Sequence, residues 1–446
     1  MIRYKKLVFA GGDNVKAIRD PVHNIILFDK AEEKVLLDLI DTREFQRLRR
    51  IRQLGFSSFT YPGAEHTRFI HSIGVAHLTK RFIEKISYVK ADRCFAKDLI
   101  DRKLLIVASA LLHDIGHGPF SHALEHITHI PHEEWTKKII KGKTEVNQVL
   151  TAHGINPHDV AEMIQRTHHL KAAVKILSSQ LDADRMDYLL RDSKMTGAGY
   201  GSFDLEWILN VLRIGKINED IEIGLDREKG QSIAEDFVMA RYYMYINVYF
   251  HKTTKSAELM ANKIFQRALE LHKEQQNILP EGLNLVLSDG ISDHTLNKYL
   301  ELTDDTFWHY IYLWQQNDDP ILKNLCKRII TRKLYKAVTQ KVDPFELVEK
   351  ANRVADKTGI PQSYLILRDE ASTSSYKDPY LLEPKIDEQQ TEKEASEQIF
   401  LFDRKGKAQE LSDISDVIRQ IRNKKIHIER LFVPEEYKKE IFGGDV

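Results

Sequence analysis

Apolar residues recur every three or four positions along most of the chain, which is the spacing of helices that bury one face. In KVLLDLIDTREFQRLRRIRQLG, residues 34–55, they predict two helices that end at Gly55, with a boundary near Asp41 and Thr42. Further helices are predicted over 97–115, 133–140, 147–153, 158–166, 171–179, 183–191, 205–213, 232–275 and 321–340. We expect long polar connections between the last two, and almost no paired strands before residue 360.

The pattern changes in the last eighty-odd residues. SYLILRD (363–369), QIFLFDRKGK (398–407) and KIHIERLFV (425–433) alternate β-branched and aromatic residues with polar ones, which predicts strands. Between the first two, Ala371–Gln398 is rich in Ser, Thr, Glu, Lys and Pro and is expected to be a mobile loop. The fold class is therefore predicted as mainly α, with a small α+β lobe at the C-terminal end.

Composition excludes several classes of protein. The 446 residues carry 66 Lys and Arg against 66 Asp and Glu, with 42% hydrophobic residues, so the chain is an ordinary globular protein without a global field for nucleic acid. Its two cysteines argue against a disulfide framework and fit a reduced, cytoplasmic compartment. The longest apolar run, Leu104–Leu112, is too short to cross a membrane, and no signal peptide is expected at the start.

Histidines cluster strongly in the first third of the chain. Nineteen are present, and uniform scatter would place about three of them between residues 66 and 132. That segment holds nine, namely His66, His71, His77, His113, His117, His122, His126, His129 and His132. Such clusters are candidates for metal binding or catalysis.

The most specific element of the cluster is LLHDIGHGPFSH, in which an apolar helix ends in the pair His113-Asp114. A single histidine is more often an ordinary hydrogen-bonded residue, and a lone His-Asp pair is weak evidence. Combined with His71 in HTRFIHS and Asp184 in LDADRMDYLLRD, the pair gives two imidazoles and two carboxylates. This mixed set suits Mn²⁺, Fe²⁺, Zn²⁺, Ni²⁺ or Mg²⁺, with open positions for water and phosphate.

These residues resemble the H…HD…D ligand set of the HD-domain metal-dependent phosphohydrolases. IRDPVHNIILF, IDTREFQRLRRIRQLG, YPGAEHTRFIHSIGV, HDIGHGPFSH, DADRMDYLLRD and YFHK are together similar to one branch, the deoxynucleoside triphosphate triphosphohydrolases of the SAM-and-HD-domain type. The resemblance covers about Lys16 to Lys336, and more loosely the C-terminal lobe. Because few residues precede it, no SAM domain is expected. It implies three parts: an N-terminal segment with effector-site helices (1–55), an HD catalytic core (56–340) and the C-terminal lobe (341–446).

The resemblance implies hydrolysis of a dNTP to a deoxynucleoside and tripolyphosphate, through attack of a metal-activated water on the α-phosphorus. His117, His122 and His132 match positions that contact phosphate or pass a proton to the leaving group, a role suited to a pKa near neutral. Glu133 matches an acidic residue that supports His132; alternatively it is an ordinary carboxylate in the first turn of a helix.

A further set matches the family's substrate contacts, with Mg²⁺ accompanying the nucleotide. The set comprises Arg68, Arg241 and Lys252 for the triphosphate, Gln53 and Leu54 beside the sugar, Tyr188 and Asp192 at its 3′ end, and Tyr249 near sugar and base. The cationic members could instead form surface salt bridges. Leu54 and Tyr188 packed against C2′ would exclude a ribose, whose 2′-hydroxyl would clash or be buried unpaired. Tyr245 stands where the vertebrate-type enzyme has a histidine, which leaves the preferred base open.

The resemblance also implies effector sites at subunit contacts. Asp41, Gln46 and Arg49 match positions that read a guanine base. Positions that hold effector phosphates are matched by Lys16, Arg213, Arg227, Lys229, Arg332 and Lys336. A dGTP- or GTP-type effector would then assemble a homotetramer and order its active sites. QRLRRIR could instead be a solvated basic helix face.

Two other functions remain open at this point. The same metal ligands serve phosphodiesterases and nucleases that act on cyclic nucleotides or single strands, and the aromatic, basic segment YYMYINVYFHK is compatible with a strand. Nucleic acid is therefore possible but not favoured. The other is a nucleotide sensor without turnover, which the intact ligand set and proposed acids disfavour.

Overall fold

The structure is a computed structural model that describes residues 14–89, 93–120, 122–217, 220–338, 343–374, 398–422 and 425–442. Among these residues, no helix combines the length and the apolar character needed to cross a membrane. The chain is mainly helical with three small sheets, so the predicted fold class is confirmed.

The chain begins with an antiparallel hairpin of β1 (Val15–Asp20) and β2 (Asn24–Asp29). Two helices follow, α1 (Lys34–Asp41) and α2 (Arg43–Arg47), which confirms the boundary predicted near Asp41 and Thr42. The second helix ends before Gly55, where it was predicted to end. Thr42 separates them because its side chain accepts a hydrogen bond from the backbone N–H of Phe45 and caps α2. A 3₁₀ turn at Leu48–Arg50 continues α2, and a second one occupies Gly55–Phe59.

Ten further helices follow along the described part of the chain. They are α3 (Arg68–Tyr88), α4 (Arg93–Asp101), α5 (Lys103–Leu112), α6 (His122–Thr128), α7 (His132–Lys141), α8 (Glu145–Ala152), α9 (Pro157–Ile164), α10 (Lys171–Leu177), α11 (Ala183–Thr196) and α12 (Leu205–Asn210). The apolar helix α5 packs against α3, and α3 also packs against α11. This contact buries almost the whole length of α3 in the main hydrophobic core.

A second group of elements completes the chain. It consists of β3 (Leu212–Ile217), β4 (Asp220–Asp226), α13 (Arg227–Met244), α14 (Lys252–Leu271), α15 (Glu281–Asp289), α16 (Asp293–Leu300), α17 (Asp304–Trp314), α18 (Pro320–Ile330), β5 (Lys336–Val338), α19 (Pro344–Thr358), α20 (Gln362–Leu365), β6 (Leu367–Ser374), β7 (Phe400–Phe402), β8 (Ala408–Glu410), α21 (Leu411–Ile414), α22 (Asp416–Ile421), β9 (Lys425–Val433) and α23 (Lys438–Phe442). A π-helical turn, Tyr245–Tyr249, separates α13 from α14, and another, His272–Gln276, ends α14.

Two sheets tie the C-terminal strands to the rest of the chain. One has the order β3-β4-β7-β8, in which β4 and β7 run parallel, and the other has the order β5-β9-β6. A small second core, formed by Val338, Val354, Leu365, Val433, Ile441 and Phe442, lies under the latter sheet and α19. The predicted boundaries at residues 55 and 340 remain predictions.

The structure corrects the expectation of few strands before residue 360. The hairpins β1-β2 and β3-β4 both precede it, and the helix predicted over 205–213 ends at Asn210. Ile214 and Ile221 alternate with polar residues there, and such short runs are easily assigned the wrong period. In the last group, β6 begins only at Leu367 because 362–365 is helical.

The long connections expected before residue 321 are also wrong, since α15, α16 and α17 occupy them. Their polar residues are helix caps rather than loop residues. Ser292 with Thr295 and Thr303 with Thr306 form reciprocal capping boxes at the starts of α16 and α17. Of the expected mobile loop at 371–398, residues 371–374 belong to β6, and 375–397 lie outside the described residues.

Candidate functional site

His71 lies in the first turn of α3 and its side chain is fully buried. Its Nδ1 is 2.8 Å from Asp187 Oδ2, a carboxylate that is itself buried on α11. With Nδ1–H donating to Asp187, the Nε2 lone pair is available for a ligand. That Nε2 atom is buried and has no hydrogen-bond partner.

His113 follows the last residue of α5 and is held in the same way. Its Nδ1 is 2.8 Å from the carbonyl oxygen of Ala110, one turn back, while its Nε2 is buried without a hydrogen-bond partner. Asp114 comes next, where the chain has left the helix, so the carboxylate turns back towards the imidazole of its neighbour. Arg68 Nη1 lies 2.5 Å from Asp114 Oδ2 and neutralises part of its charge.

Asp184 completes the quartet from the first turn of α11, whose N-cap is Asp182. Asp184 Oδ1 is 3.1 Å from His71 Nε2 and 3.5 Å from His113 Nε2. Asp114 Oδ1 is 3.3 Å from His113 Nε2. Ligand atoms about 2.1 Å from one ion are separated by about 3.0 to 3.4 Å in octahedral or tetrahedral geometry. The histidine–carboxylate distances lie near this spacing, and His71, His113 and Asp114 each offer a ligand atom within 4.8 Å of the other two. These three residues and Asp184 are therefore candidates to bind one divalent ion.

The electrostatics of the quartet favour a cation. Burial alone would lower the pKa of His71, but the carboxylates of Asp184 and Asp187 outweigh it and raise that pKa to about 10. Burial would raise the pKa of the Asp184 carboxyl, yet His113 and His71 hold it below its ordinary value. The carboxylates are therefore ionised at neutral pH, and a bound dication would take the place of the proton on the imidazole.

A second pair of histidines adjoins the quartet. The rings of His117 and His132 stack with centroids 3.6 Å apart, and His117 Nε2 is 3.4 Å from Asp114 Oδ1. Burial, together with the charges of Arg68 and His132, holds the pKa of His117 well below its ordinary value, so this imidazole is neutral at pH 7. Because His132 is the first residue of α7, the pair connects the quartet to the first turn of that helix.

Glu125, rather than Glu133, is the closer partner of His132. Glu125 Oε1 is 2.7 Å from His132 Nδ1, whereas Glu133 Oε2 is 3.5 Å away and its side chain is mostly exposed. Glu125 was missed because it lies seven residues before His132, on a different helix. His122 begins α6, and its side chain lies outside the described part of the structure.

A cavity of about 460 Å³ adjoins these groups. Of the predicted substrate contacts, it brings together Gln53, Leu54, Arg68, Tyr188, Asp192, Tyr245 and Tyr249. Tyr245 and Tyr249 enter it from the π-helical turn, a feature that is frequent at functional sites. Gln53 Oε1 is buried there without a hydrogen-bond partner, so the cavity presents an unsatisfied polar group to a ligand.

Asp192 is held at the cavity wall by two donors. His66 Nε2 is 2.7 Å from one carboxylate oxygen, and the Tyr249 hydroxyl donates to the other over 2.9 Å. Each oxygen retains a second lone pair for a ligand hydroxyl. His66 was counted in the histidine cluster, but its contact with a residue 126 positions away has no signal in the sequence.

The remaining substrate positions lie less centrally. Arg241 donates to Gln180 Oε1 over 2.6 Å, its guanidinium carbon lies 5.7 Å from the centre of the Tyr245 ring, and it is not among the residues that line the cavity. Lys252 is exposed at the start of α14 and is not among the residues that line the cavity. The polar residues that α14 does contribute are Lys255, Glu258 and Asn262, which share one helix face at three- and four-residue spacing. Sequence reasoning missed all three.

The predicted effector residues lie on several elements. Gln46 and Arg49 are hydrogen-bonded to each other over 2.8 Å, and exposed Asp41 ends the neighbouring helix α1. Arg213 on β3 is 3.6 Å from Asp226, which caps the helix that begins with Arg227 and contains Lys229. The others are Lys16 on β1, Arg332 bonded to the Phe59 carbonyl, and Lys336 on β5.

The chain matches two family models, the HD domain over residues 68–192 and the HD associated region over residues 219–444. The uncharacterized protein YwfO of Bacillus subtilis is 39% identical over 427 residues, which cover 94% of this chain and 92% of that protein. The deoxynucleoside triphosphate triphosphohydrolase SAMHD1 of Bos taurus is 29% identical over 387 residues, covering 78% of this chain and 62% of the bovine protein.

A solved structure supports the same relationship. The crystal structure of a phosphohydrolase from Bacteroides thetaiotaomicron superposes with a TM-score of 0.77 at 26% identity, covering 94% of this chain and 99% of that one. The architecture described above is therefore shared with a protein named as a phosphohydrolase.

Proposed function

The chain belongs to the HD-domain phosphohydrolase family, and from this premise we propose that it is a metal-dependent dNTP triphosphohydrolase. The observation that carries the proposal is the pair of buried, unpartnered Nε2 atoms of His71 and His113, which converge on two carboxylates beside a cavity of nucleotide size. The bovine relative carries this activity in its name.

His71, His113, Asp114 and Asp184 would hold the divalent metal. Their mixed imidazole and carboxylate chemistry fits Mn²⁺, Fe²⁺, Zn²⁺, Ni²⁺ or Mg²⁺. When bound, such an ion lowers the pKa of water and offsets charge on phosphoryl oxygens. His71 Nδ1 contacts Asp187, and His113 Nδ1 contacts the Ala110 carbonyl. These contacts fix the tautomer of each imidazole so that Nε2 is available to bind the metal.

The stacked pair His117 and His132 supplies the proton chemistry. Hydrolysis forms a bond from the water oxygen to the α-phosphorus and breaks the bond from that phosphorus to O5′. A proton from the pair neutralises O5′, and the proton released by the water restores the pair. Glu125 and Glu133 keep His132 oriented, and Arg68 balances negative charge where the triphosphate enters.

The cavity selects the sugar. Leu54 and Tyr188 form an apolar contact for C2′, while Asp192 and Gln53 offer acceptors to the 3′ end of a deoxyribose. Tyr249 keeps the Asp192 carboxylate in place. Arg241 and Lys252, with Mg²⁺ on the nucleotide, are further proposed contacts of the triphosphate, and Tyr245 lies towards the base.

Activation by a guanine nucleotide is the regulatory part of the proposal. Asp41, Gln46 and Arg49 would read the guanine edge, since a carboxylate accepts from N1–H and the exocyclic amine. The phosphate positions given above would bind the triphosphate in an assembled homotetramer. An effector that binds only the assembled state stabilises it by mass action.

Chromatographic product analysis tests the proposal. The purified protein is incubated with Mn²⁺ or Mg²⁺ and each dNTP and NTP, singly and with dGTP added. We expect the dNTPs, but not the NTPs, to be cleaved to a deoxynucleoside and intact tripolyphosphate. No cleavage of any nucleoside triphosphate by protein shown to contain metal would contradict it.

A larger groove favours one second candidate, an HD phosphodiesterase or nuclease. A cavity of about 950 Å³ shares Phe250, Lys255, Glu258 and Asn262 with the smaller one, so the two are continuous along α14. Such a groove has room for a substrate longer than one nucleotide, and its lysines suit a phosphate backbone. Cyclic nucleotides and single-stranded oligonucleotides in the same assay distinguish the two functions.

A further inference from the structure

The carboxylate behind the metal quartet is shared with the N-terminal hairpin. Asp187 Oδ2 accepts from His71 Nδ1, and Asp187 Oδ1 is 2.7 Å from Nε2 of His23, a residue of the turn between β1 and β2. The side chains of His23 and Asp187 are 2% and 0% exposed. One carboxylate therefore connects the hairpin to a proposed metal ligand with no solvent between them.

A second contact fixes the hairpin on the same helix. Arg191, one turn after Asp187, donates to both oxygens of Asp187 over 2.8 and 2.9 Å and to Asp20 Oδ2 over 2.8 Å. Asp20 Oδ1 in turn accepts the backbone N–H groups of Val22 and His23. The turn that carries His23 is thus held in one position relative to α11.

The packing of α3 leaves room for this cluster only because residue 74 is glycine. A Cβ atom at Gly74 would lie 2.0 Å from Asp187 Oδ1 and 2.5 Å from Arg191 Nη2. Gly74 is three residues after His71 and so lies on a neighbouring face of the same helix. The backbone of α3 therefore approaches the Asp187 carboxylate closely, which brings His71 Nδ1 within hydrogen-bond distance of it.

The buried charges around Asp187 explain why its carboxylate requires the hydrogen bond from His23. Asp20 and Asp187 bring two buried negative charges, and Arg191 brings one positive charge. A buried carboxylate needs several donors, and loss of one leaves it under-satisfied and free to move towards those that remain. Without His23, Asp187 Oδ1 would keep only the Arg191 contact.

We propose that His23 is a positioning residue of the metal centre. It donates to Asp187, Asp187 orients His71, and the hairpin thereby determines how well His71 Nε2 meets the ion. The inference rests on the metal centre of the proposed function. β1 also carries Lys16, a proposed effector contact. A displacement of the hairpin would therefore shift His71 through the His23–Asp187 and Asp187–His71 hydrogen bonds. By the same linkage, metal binding to His71 would change the position of the hairpin.

Mn²⁺ affinity is the test, measured by competition with a chelator on the full-length protein without substrate. His23→Leu keeps the volume but removes the donor, and His23→Gln keeps a donor. We expect His23→Leu to weaken Mn²⁺ binding about 10- to 100-fold, and His23→Gln to stay within a few-fold of the wild type. His153→Ala is the control, since it removes a histidine-carboxylate contact of 2.8 Å with Asp38 in a partly exposed position.

The comparison of Mn²⁺ affinities requires that both His23 variants are folded and that the wild type binds Mn²⁺. Thermal unfolding without metal verifies folding, and both His23 variants fill the buried space that His23→Ala would leave open. Unchanged Mn²⁺ affinity in folded His23→Leu overturns the inference, as does an equal loss in His23→Gln. If the wild type binds no Mn²⁺, the proposed metal centre and the proposed function are both wrong, and the inference about His23 is wrong with them.

Discussion

At the scale of single residues, the proposed metal centre depends on which nitrogen of each imidazole is already engaged. His71 and His113 both have Nδ1 against a protein acceptor, which leaves Nε2 of each at the centre of the quartet. His113 and Asp114 are neighbours in sequence and can both contribute because α5 ends at Leu112, so that their side chains are not spread around a helix.

Replacing His113 and Asp114 together with alanine should abolish turnover and metal binding, because half of the ligand set is lost. The fold should survive, since both side chains lie at a helix end rather than in the apolar core. Turnover with each dNTP, metal content and circular dichroism measure the three effects. Glu162→Gln, in another group of acidic residues and histidine, is the matched control. Undiminished activity of the double variant would rule out the metal assignment.

Tyr188→Ala should relax discrimination against ribonucleotides, because the wall of the sugar pocket opens and a 2′-hydroxyl is no longer excluded. The ratio of kcat/KM for dNTP to that for the matching NTP should fall about tenfold or more, equal to roughly 1.4 kcal/mol of lost discrimination. Tyr188→Phe keeps the ring and should retain the ratio. An unchanged ratio in Tyr188→Ala would count against this sugar contact.

At the scale of elements, the loop after His113 is held by helices from distant parts of the chain. Gly116 N–H donates to Thr136 Oγ1 of α7, and the Tyr299 hydroxyl donates to the Gly116 carbonyl. Asp304, at the start of α17, accepts the backbone N–H groups of Arg52 and Phe120 and so joins this loop to the one that carries Gln53.

Gly116→Ala should displace α7 and separate His132 from His117. The added Cβ would lie 2.2 Å from the Thr136 backbone nitrogen and 2.3 Å from the His132 carbonyl oxygen, so the helix must move. We expect kcat to fall roughly 100-fold, as for an ångström-scale misplacement of a reacting group. Gly154→Ala is the control, since its Cβ meets nothing within 4 Å and only the backbone at φ +72° is strained. Equal kcat values for both variants would contradict this account.

Burial raises the pKa of the Asp304 carboxyl to about 6, against the lowering effect of the two backbone N–H groups. Between about pH 4 and pH 6 the folded state therefore binds more protons than the unfolded state, and its free energy of unfolding falls as pH rises through this window. Asp304→Asn removes this contribution. Between about pH 4 and pH 6 the free energy of unfolding of the variant should therefore fall by about 2–3 kcal/mol less than that of the wild type. Urea unfolding at a series of pH values measures the slope, with the exposed neighbour Asp305→Asn as control. Parallel slopes for the wild type and Asp304→Asn would refute the assignment.

At the scale of the whole molecule, the sequence predicts many of the helices well and the connections between them poorly. The apolar spacing of α1, α5 and α11 is regular, and the motif LLHDIGHGPFSH marks the end of α5. The ligand quartet follows from residue types, but Asp187, Glu125 and His23 do not, because their roles depend on contacts between elements far apart in the chain. The caps of α16 and α17 resemble loop residues until their reciprocal hydrogen bonds are seen.

Metal should stabilise the whole molecule by mass action, since its ligands come from α3, α11 and the end of α5. At a free Mn²⁺ concentration of 100 times Kd, the free energy of unfolding should rise by about 2.7 kcal/mol, and chelation should reverse the rise. Thermal unfolding with and without Mn²⁺ measures this. The His113→Ala, Asp114→Ala double variant should show no shift, and an equal shift in that variant would place the stabilising ion elsewhere.

The central claim is that water attacks the α-phosphorus of a deoxynucleoside triphosphate. The most direct test is ³¹P NMR of the products formed from one dNTP, with Mn²⁺ added for turnover and removed before recording, in water enriched in ¹⁸O. We predict tripolyphosphate with ¹⁸O on a terminal phosphorus as the product that contains phosphorus. Pyrophosphate with a deoxynucleoside monophosphate, or orthophosphate with the diphosphate, would contradict the account.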